Sequence, residues 1–148
     1  MQLKAYVAMG DAFMRFSTVN KQRSIEIVLP LKNAGQTPGY NFTMWCDRKI
    51  DVPTADPFTK APPPSQRGGA SIIGPHTNVD LTMFIIGIDD ATLDDIVHGR
   101  KRIYAWGRCD YVDIYGADRH FEFKCWNDTS FVDSRCGVSP HPRGYDAS

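Results

Sequence analysis

The side chains with most chemical potential are four histidines, four cysteines and three tryptophans. A metal site needs several ligands converging in space. His76, His98, His120 and His141 show no H-x-x-H, H-x-H or H-E-x-x-H spacing that would bring them together. Ordinary surface histidines are expected, and His98 also suits the C-terminal end of a helix. Cys46, Cys109, Cys125 and Cys136 form no C-x-x-C pair, which removes the zinc-ribbon and thioredoxin-type motifs. There is no G-x-S-x-G elbow, and no cysteine opens a helix where its thiolate would be stabilised. Asp89-Asp90 and Asp94-Asp95 read as the solvated acids of a capped helix, not as a catalytic pair. Gly68-Gly69 lacks the strand and the G-x-G-x-x-G pattern of a nucleotide loop. The expectation is a chain that is not an enzyme and holds no metal or cofactor.

Aromatic side chains are the better candidates. Residues 103–126 read as two strands folded back around Gly116-Ala117-Asp118, with Tyr115 opposite Arg119. In that register Ile103, Cys109, Tyr111, Phe121, Phe123 and Cys125 share an apolar face. The other face carries Tyr104, Trp106, Arg108, Asp110, Glu122, Lys124 and Trp126. Tyr104, Trp106 and Trp126, joined by Trp45 from another strand, are the candidate binding surface, since exposed aromatics stack on sugars or anchor interfaces. The competing reading is that the helix or a proline-rich loop covers them. The same register sets Cys109 opposite Cys125, a candidate disulfide of strained geometry whose alternative is a pair of buried thiols. A Cys46–Cys136 bond has no support from spacing.

Around this hairpin the chain alternates as strands do. Segments 4–9 and 12–19 read as one first strand, kinked or split at Gly10-Asp11. In 24–33, Ile25, Ile27, Leu29 and Leu31 fall on one face, and Pro30 marks an edge, a bulge or a nearby strand end. After a dense turn signal at 33–39, alternation places Tyr40, Phe42, Met44 and Cys46 together. Residues 52–69 carry Pro53, Pro57, Pro62, Pro63, Pro64 and Gly68-Gly69, and read as a long extended loop, not a domain linker. A short apolar step at 71–74 and a strand at 79–87 follow. Asp89 caps a helix over about 90–98 that Gly99 ends.

These elements predict an all-β fold, an immunoglobulin-like antiparallel β-sandwich of seven or eight strands with one short helix in a crossover. A small barrel is the alternative. Residues 1–127 form the sandwich domain, and 128–148, where periodicity is lost, form a loosely ordered tail.

Composition narrows the partners. With 148 residues the chain is one domain with a real core. Seventeen basic and 17 acidic residues give a net charge near zero, which removes the electrostatic footprint of a nucleic-acid binder. The cluster Arg100-Lys101-Arg102 suits a solvated helix exit. No apolar run spans a membrane and no signal peptide opens the chain, so a cytoplasmic home follows if the sequence is complete as given. Asn41-Phe42-Thr43 and Asn127-Asp128-Thr129 match the glycosylation acceptor pattern, which is common by chance.

Leu31-Lys32-Asn33-Ala34-Gly35-Gln36-Thr37-Pro38-Gly39-Tyr40, the proline-rich loop, Ile73-Gly74-Pro75, the acidic helix ending in Gly99, Tyr104-Ala105-Trp106-Gly107 and Tyr111-Val112-Asp113-Ile114-Tyr115-Gly116 occur in that order. In this the chain resembles the extracytoplasmic domain of a broad group of uncharacterised bacterial membrane-tethered proteins, over about residues 4–126. The resemblance implies a periplasmic or cell-envelope home and no assigned activity. Function is therefore expected to be that of a non-catalytic structural or protein-interaction module. The alternative is a carbohydrate- or small-ligand-binding domain using Trp45, Trp106 and Trp126. Homo-oligomers through exposed sheet edges are compatible with either.

Overall fold

The computed structural model describes residues 5, 7–10 and 12–127, with the strand backbone of 135–140 and 146–147. In chain order the described strands are β1 (Val7–Met9), β2 (Phe13–Val19), β3 (Gln22–Asn33), β4 (Gly39–Asp51), β5 (Ser71–Ile73), β6 (Asn78–Ile86), β7 (Arg102–Val112), β8 (Asp118–Asn127), β9 (Arg135–Pro140) and β10 (Asp146–Ala147). The helix α1 (Asp90–Val97) lies between β6 and β7. All the pairings are antiparallel, and two sheets pack as a sandwich.

β3 is the spine of the first sheet. Ile25, Ile27, Leu29 and Leu31 are fully buried at every second position, as a strand with one face on the core requires. β6 pairs along one side of β3, from Asn78 to Ile86. The other side takes β2 at 22–28 and β1 at 31–33. Pro30 lies at the gap between them, where its carbonyl accepts from Gly10 N at 2.8 Å. In an extended strand the N–H and C=O of one residue point the same way, so the missing N–H of Pro30 faces this interruption. The proline and the split first strand are one feature.

The second sheet runs β5–β4–β7–β8. A bulge between Tyr40 and Thr43, with Asn41 at φ 52°, takes the extra residue in β4. It turns Tyr40 out to solvent, 40% exposed, while Phe42 stays in the core. The plain alternation that grouped Tyr40 with Phe42 fails at this point. β9 is shared: 135–137 pair with β2 and 138–140 with β8. β10 pairs with Glu122 and Phe121 of β8. Part of the expected tail is thus woven into the sheets. Residues 128–134, 141–145 and 148, which include His141 and the second glycosylation triplet beyond Asn127, lie outside the described residues, as does the side chain of Cys136.

The hairpin register differs from the expected one. Val112 pairs with Asp118 and Tyr111 with Arg119, so five residues, not three, make the turn. Asp113 is the cause. Its Oδ1 accepts from Tyr115 N at 2.9 Å and Ala117 N at 3.0 Å, and its Oδ2 from Arg119 Nε at 3.0 Å. With its side chain closing the turn, Asp113 leaves the ladder. The partner shift is four residues, an even number, so every side chain keeps its predicted face while every pair changes. Cys109 now lies opposite Phe121 and Cys125 opposite Ala105, and no bond joins them. The opposition on which the disulfide rested is absent.

Core side chains from both sheets meet between the layers, and Tyr111 Oη ties them by accepting from Val7 N at 3.3 Å. α1 closes one end with Ile96. Its N-cap Asp89 accepts from Thr92 N at 2.7 Å, and Gly99 (φ 72°) follows its C-cap. Gly107 is the tightest point. A Cβ there would stand 2.4 Å from Trp45 O and 2.6 Å from the Phe123 ring. Gly107→Ala is therefore expected to lower stability by about 2 kcal/mol or more in urea unfolding. An unchanged midpoint would show that Phe123 moves aside at no cost.

Candidate functional site

Residues 52–70 do not loop into solvent. They leave the end of β4, run as a strap over the outer face of the second sheet, and return to it at β5. The contacts explain its course. Tyr104 Oη donates to Val52 O at 2.9 Å, and Trp106 Nε1 donates to Thr59 Oγ1 at 3.2 Å. Phe58 stands edge-on to both rings, with centroids 5.8 Å from Tyr104 and 5.5 Å from Trp106. Tyr104 and Trp106 are consequently 1% and 4% exposed. The four candidate aromatics therefore do not form one open platform. Tyr104 and Trp106 are the floor beneath the strap. Trp126 meets Tyr104 at 6.5 Å and carries the Arg102 guanidinium 5.3 Å above its ring. Trp45, half-buried, lines the cavity beside Phe58 and Trp106.

Further along, charge replaces aromatic contact. Arg67, whose side chain is almost wholly buried, donates from Nε to Pro62 O at 2.8 Å and pairs with Asp110. On the other side of Asp110 stands Arg108, its Nη2 3.0 Å from Oδ1. Arg108 Nη1 reaches Glu122 at 2.9 Å. Burial pushes the Asp110 carboxyl up, but hydrogen bonds from Arg108 and Arg67 outweigh it and hold the group below the usual carboxylate range.

Two adjoining cavities lie along the strap, of about 240 and about 440 Å³. Both are lined by Lys60, Ala61, Arg108 and Glu122. The first adds Trp45 and Lys124, the second Arg67 and Asp110. Together they form a groove with an aromatic end and an ionic end. Four cationic side chains line it against two acids, and both acids are engaged by arginines. Among the described residues no carboxylate pairs with Lys60, while Lys124 Nζ sits 5.6 Å over the Phe58 ring. The aromatic half was legible from alternation. Alternation also placed Lys124 on this face, whereas Lys60 and Arg67 were not singled out, because only the path of the strap brings them to it.

The other candidates stay apart. His98 Nδ1 lies 3.0 Å from Asp94 Oδ1 at the helix end, and His76 occupies a turn at φ 60°. Among the described residues no group of three or more His, Cys, Asp or Glu converges as a metal site. Burial pushes the Cys109 thiol up to about 12, which keeps it protonated at neutral pH. Neither models of protein families, nor characterised proteins, nor solved structures yield a match to this chain. The fold and groove therefore carry the functional argument.

Acid should weaken both the strap contact at Asp110 and the β7–β8 turn at Asp113. Asp110 and Asp113 both have folded values below the ordinary carboxylate range. In Asp113 the first cause is the hydrogen bond from the Ala117 N–H. Their stabilisation is full above the unfolded value of about 3.9 and is lost as pH falls through the lower folded values. Urea unfolding across pH 2–7 is expected to show a flat neutral region and a steep acid limb. Asp110→Asn should cost about 2 kcal/mol at pH 7 and make that limb shallower. An acid limb identical to wild type would remove Asp110 from the account.

Proposed function

We propose that this chain is a non-catalytic interaction module, an immunoglobulin-like sandwich that recognises a protein partner through the strap-covered face. The observation that supports it is how charge is distributed in the groove. Asp110 and Glu122 are taken up in structural ion pairs, and Asp110 is held ionised, so Asp110 is not poised to donate a proton near neutrality. What the groove offers outward is lysine and tryptophan, a combination suited to recognition. The fold alone assigns no activity.

A small-ligand or carbohydrate site is the second reading, favoured by the cavity beside Trp45. Its accessible ring walls are Trp45 and Phe58, since Tyr104 and Trp106 are already covered. The resemblance of segments 31–40 and 104–116 to an extracytoplasmic domain supports a place in the cell envelope. Asn33, fully buried, gives the first segment a structural role by donating to Thr37 O at 2.8 Å and Ile73 O at 3.1 Å. Among the described residues no helix is long and apolar enough to cross a membrane. Self-association through edges is the weaker partner hypothesis, because Arg48 Nε already occupies Phe84 O at 3.0 Å where β4 approaches the open side of β6.

A photo-cross-linking side chain placed at position 60, on the groove rim, and separately at position 82, on the exposed side of β6, tests the reading in cells. Discrete protein adducts from position 60 and none from 82 are expected. Equal labelling at both positions, or none at 60, would overturn it.

A further inference from the structure

We propose that the groove accepts an extended acidic segment of the partner, with an apolar side chain seated beside Trp45 and carboxylates paired with Lys60 and Lys124. The inference rests on the interaction-module reading and names the chemistry of the segment recognised.

Three observations carry it. The groove is elongated, because two cavities of about 240 and 440 Å³ adjoin through their common walls. A compact ligand needs one chamber, whereas a peptide strand uses a trough. Its charge is also unbalanced in a particular place. Arg67 and Arg108 are neutralised by Asp110 and Glu122. Among the described residues no ion pair joins Lys60 or Lys124 to a carboxylate, and Glu122 of the same chamber is taken up by Arg108, so the unpaired positive charge sits around the aromatic chamber. Finally, that chamber is walled by Phe58, Trp106 and the half-buried Trp45, which suits one apolar side chain. Complementary charge then fixes register and favours encounter.

The test is titration calorimetry of the intact chain at low ionic strength. The probes are a capped peptide of one leucine followed by four glutamates, and its counterpart with four glutamines. The glutamate peptide is expected to bind at least about tenfold more tightly, and to weaken as salt screens the exposed charges. Lys60→Gln and Lys124→Gln should each reduce affinity several-fold, and Lys32→Gln, on the other sheet, should not. Both groove lysines are solvent-accessible, and a matched far-ultraviolet spectrum and melting curve confirm that the variants fold. Equal affinity for the two peptides, no binding of either at millimolar concentration, or variants that bind like wild type would overturn the proposal. Glucuronate displacing the peptide at a lower concentration than the peptide itself needs would overturn it in favour of a sugar acid. Adducts at position 60 in the cross-linking experiment keep the module reading standing if the peptide fails, so the two failures are distinguishable.

Discussion

A carboxylate shared by an arginine of its own strand and an arginine of the strap is the contact on which this architecture turns. Asp110 belongs to the sheet, Arg108 to the same strand and Arg67 to the strap above it. Each charge is partly withdrawn from water, so each would be costly alone. Together they satisfy one another, and they fix the height at which an irregular segment of about 19 residues crosses the sheet. The aromatic contacts at the other end, Phe58 on Tyr104 and Trp106, supply area without fixing direction. The hydrogen bonds from Tyr104 and Trp106 to Val52 and Thr59 then set register along the strap. One end is held by apolar burial and the other by ion pairs, and the groove is the space left between these attachments.

The sequence reads clearly wherever one residue's environment depends on its immediate neighbours. Ile25, Ile27, Leu29 and Leu31 give away the inner face of β3 because alternation is local. Asp89 and Gly99 mark the ends of α1 through their own backbone preferences. The hairpin exposes the limit of this logic. Its two faces were legible and its pairing was not, because slipping an antiparallel pair by an even number of residues leaves the hydrophobic pattern unchanged. What decides between registers is Asp113, a polar residue whose three side-chain contacts lie within the turn. A buried aspartate two residues before an exposed tyrosine and three before a glycine is a signal of this kind of turn. The bulge at Asn41 misled in a similar way, since one inserted residue reverses the phase of the alternation before it.

The groove was half legible for a different reason. Trp45, Tyr104, Trp106 and Trp126 could be placed on one side of a sheet by counting residues, but counting does not say what lies over them. The covering segment has no periodicity, and its contacts span some 43 to 52 positions along the chain. The prolines in it show only that it is extended. Arg67 is the informative residue in hindsight. An arginine among Pro62, Pro63, Pro64 and Gly68-Gly69 has no acidic neighbour in the sequence, and opposite charges on a nearby strand face are where such a side chain goes.

This division of labour also separates the rigid part of the face from the adaptable part. Residues that hold the strap are already paired, and using them for a ligand means first breaking what they hold. Asp110 is therefore a poor ligand group despite lining the cavity, because freeing it takes from Arg67 the carboxylate it pairs with, and freeing Glu122 takes from Arg108 one of its two. Lys60 and Lys124 are in the opposite position. Both side chains are long and flexible, Lys60 is exposed, Lys124 lies over the Phe58 ring, and among the described residues neither forms an ion pair. Neutralising them breaks no described ion pair, and the aromatic wall behind them is already in place. The charges that hold this face together and the charges it leaves unpaired are different residues.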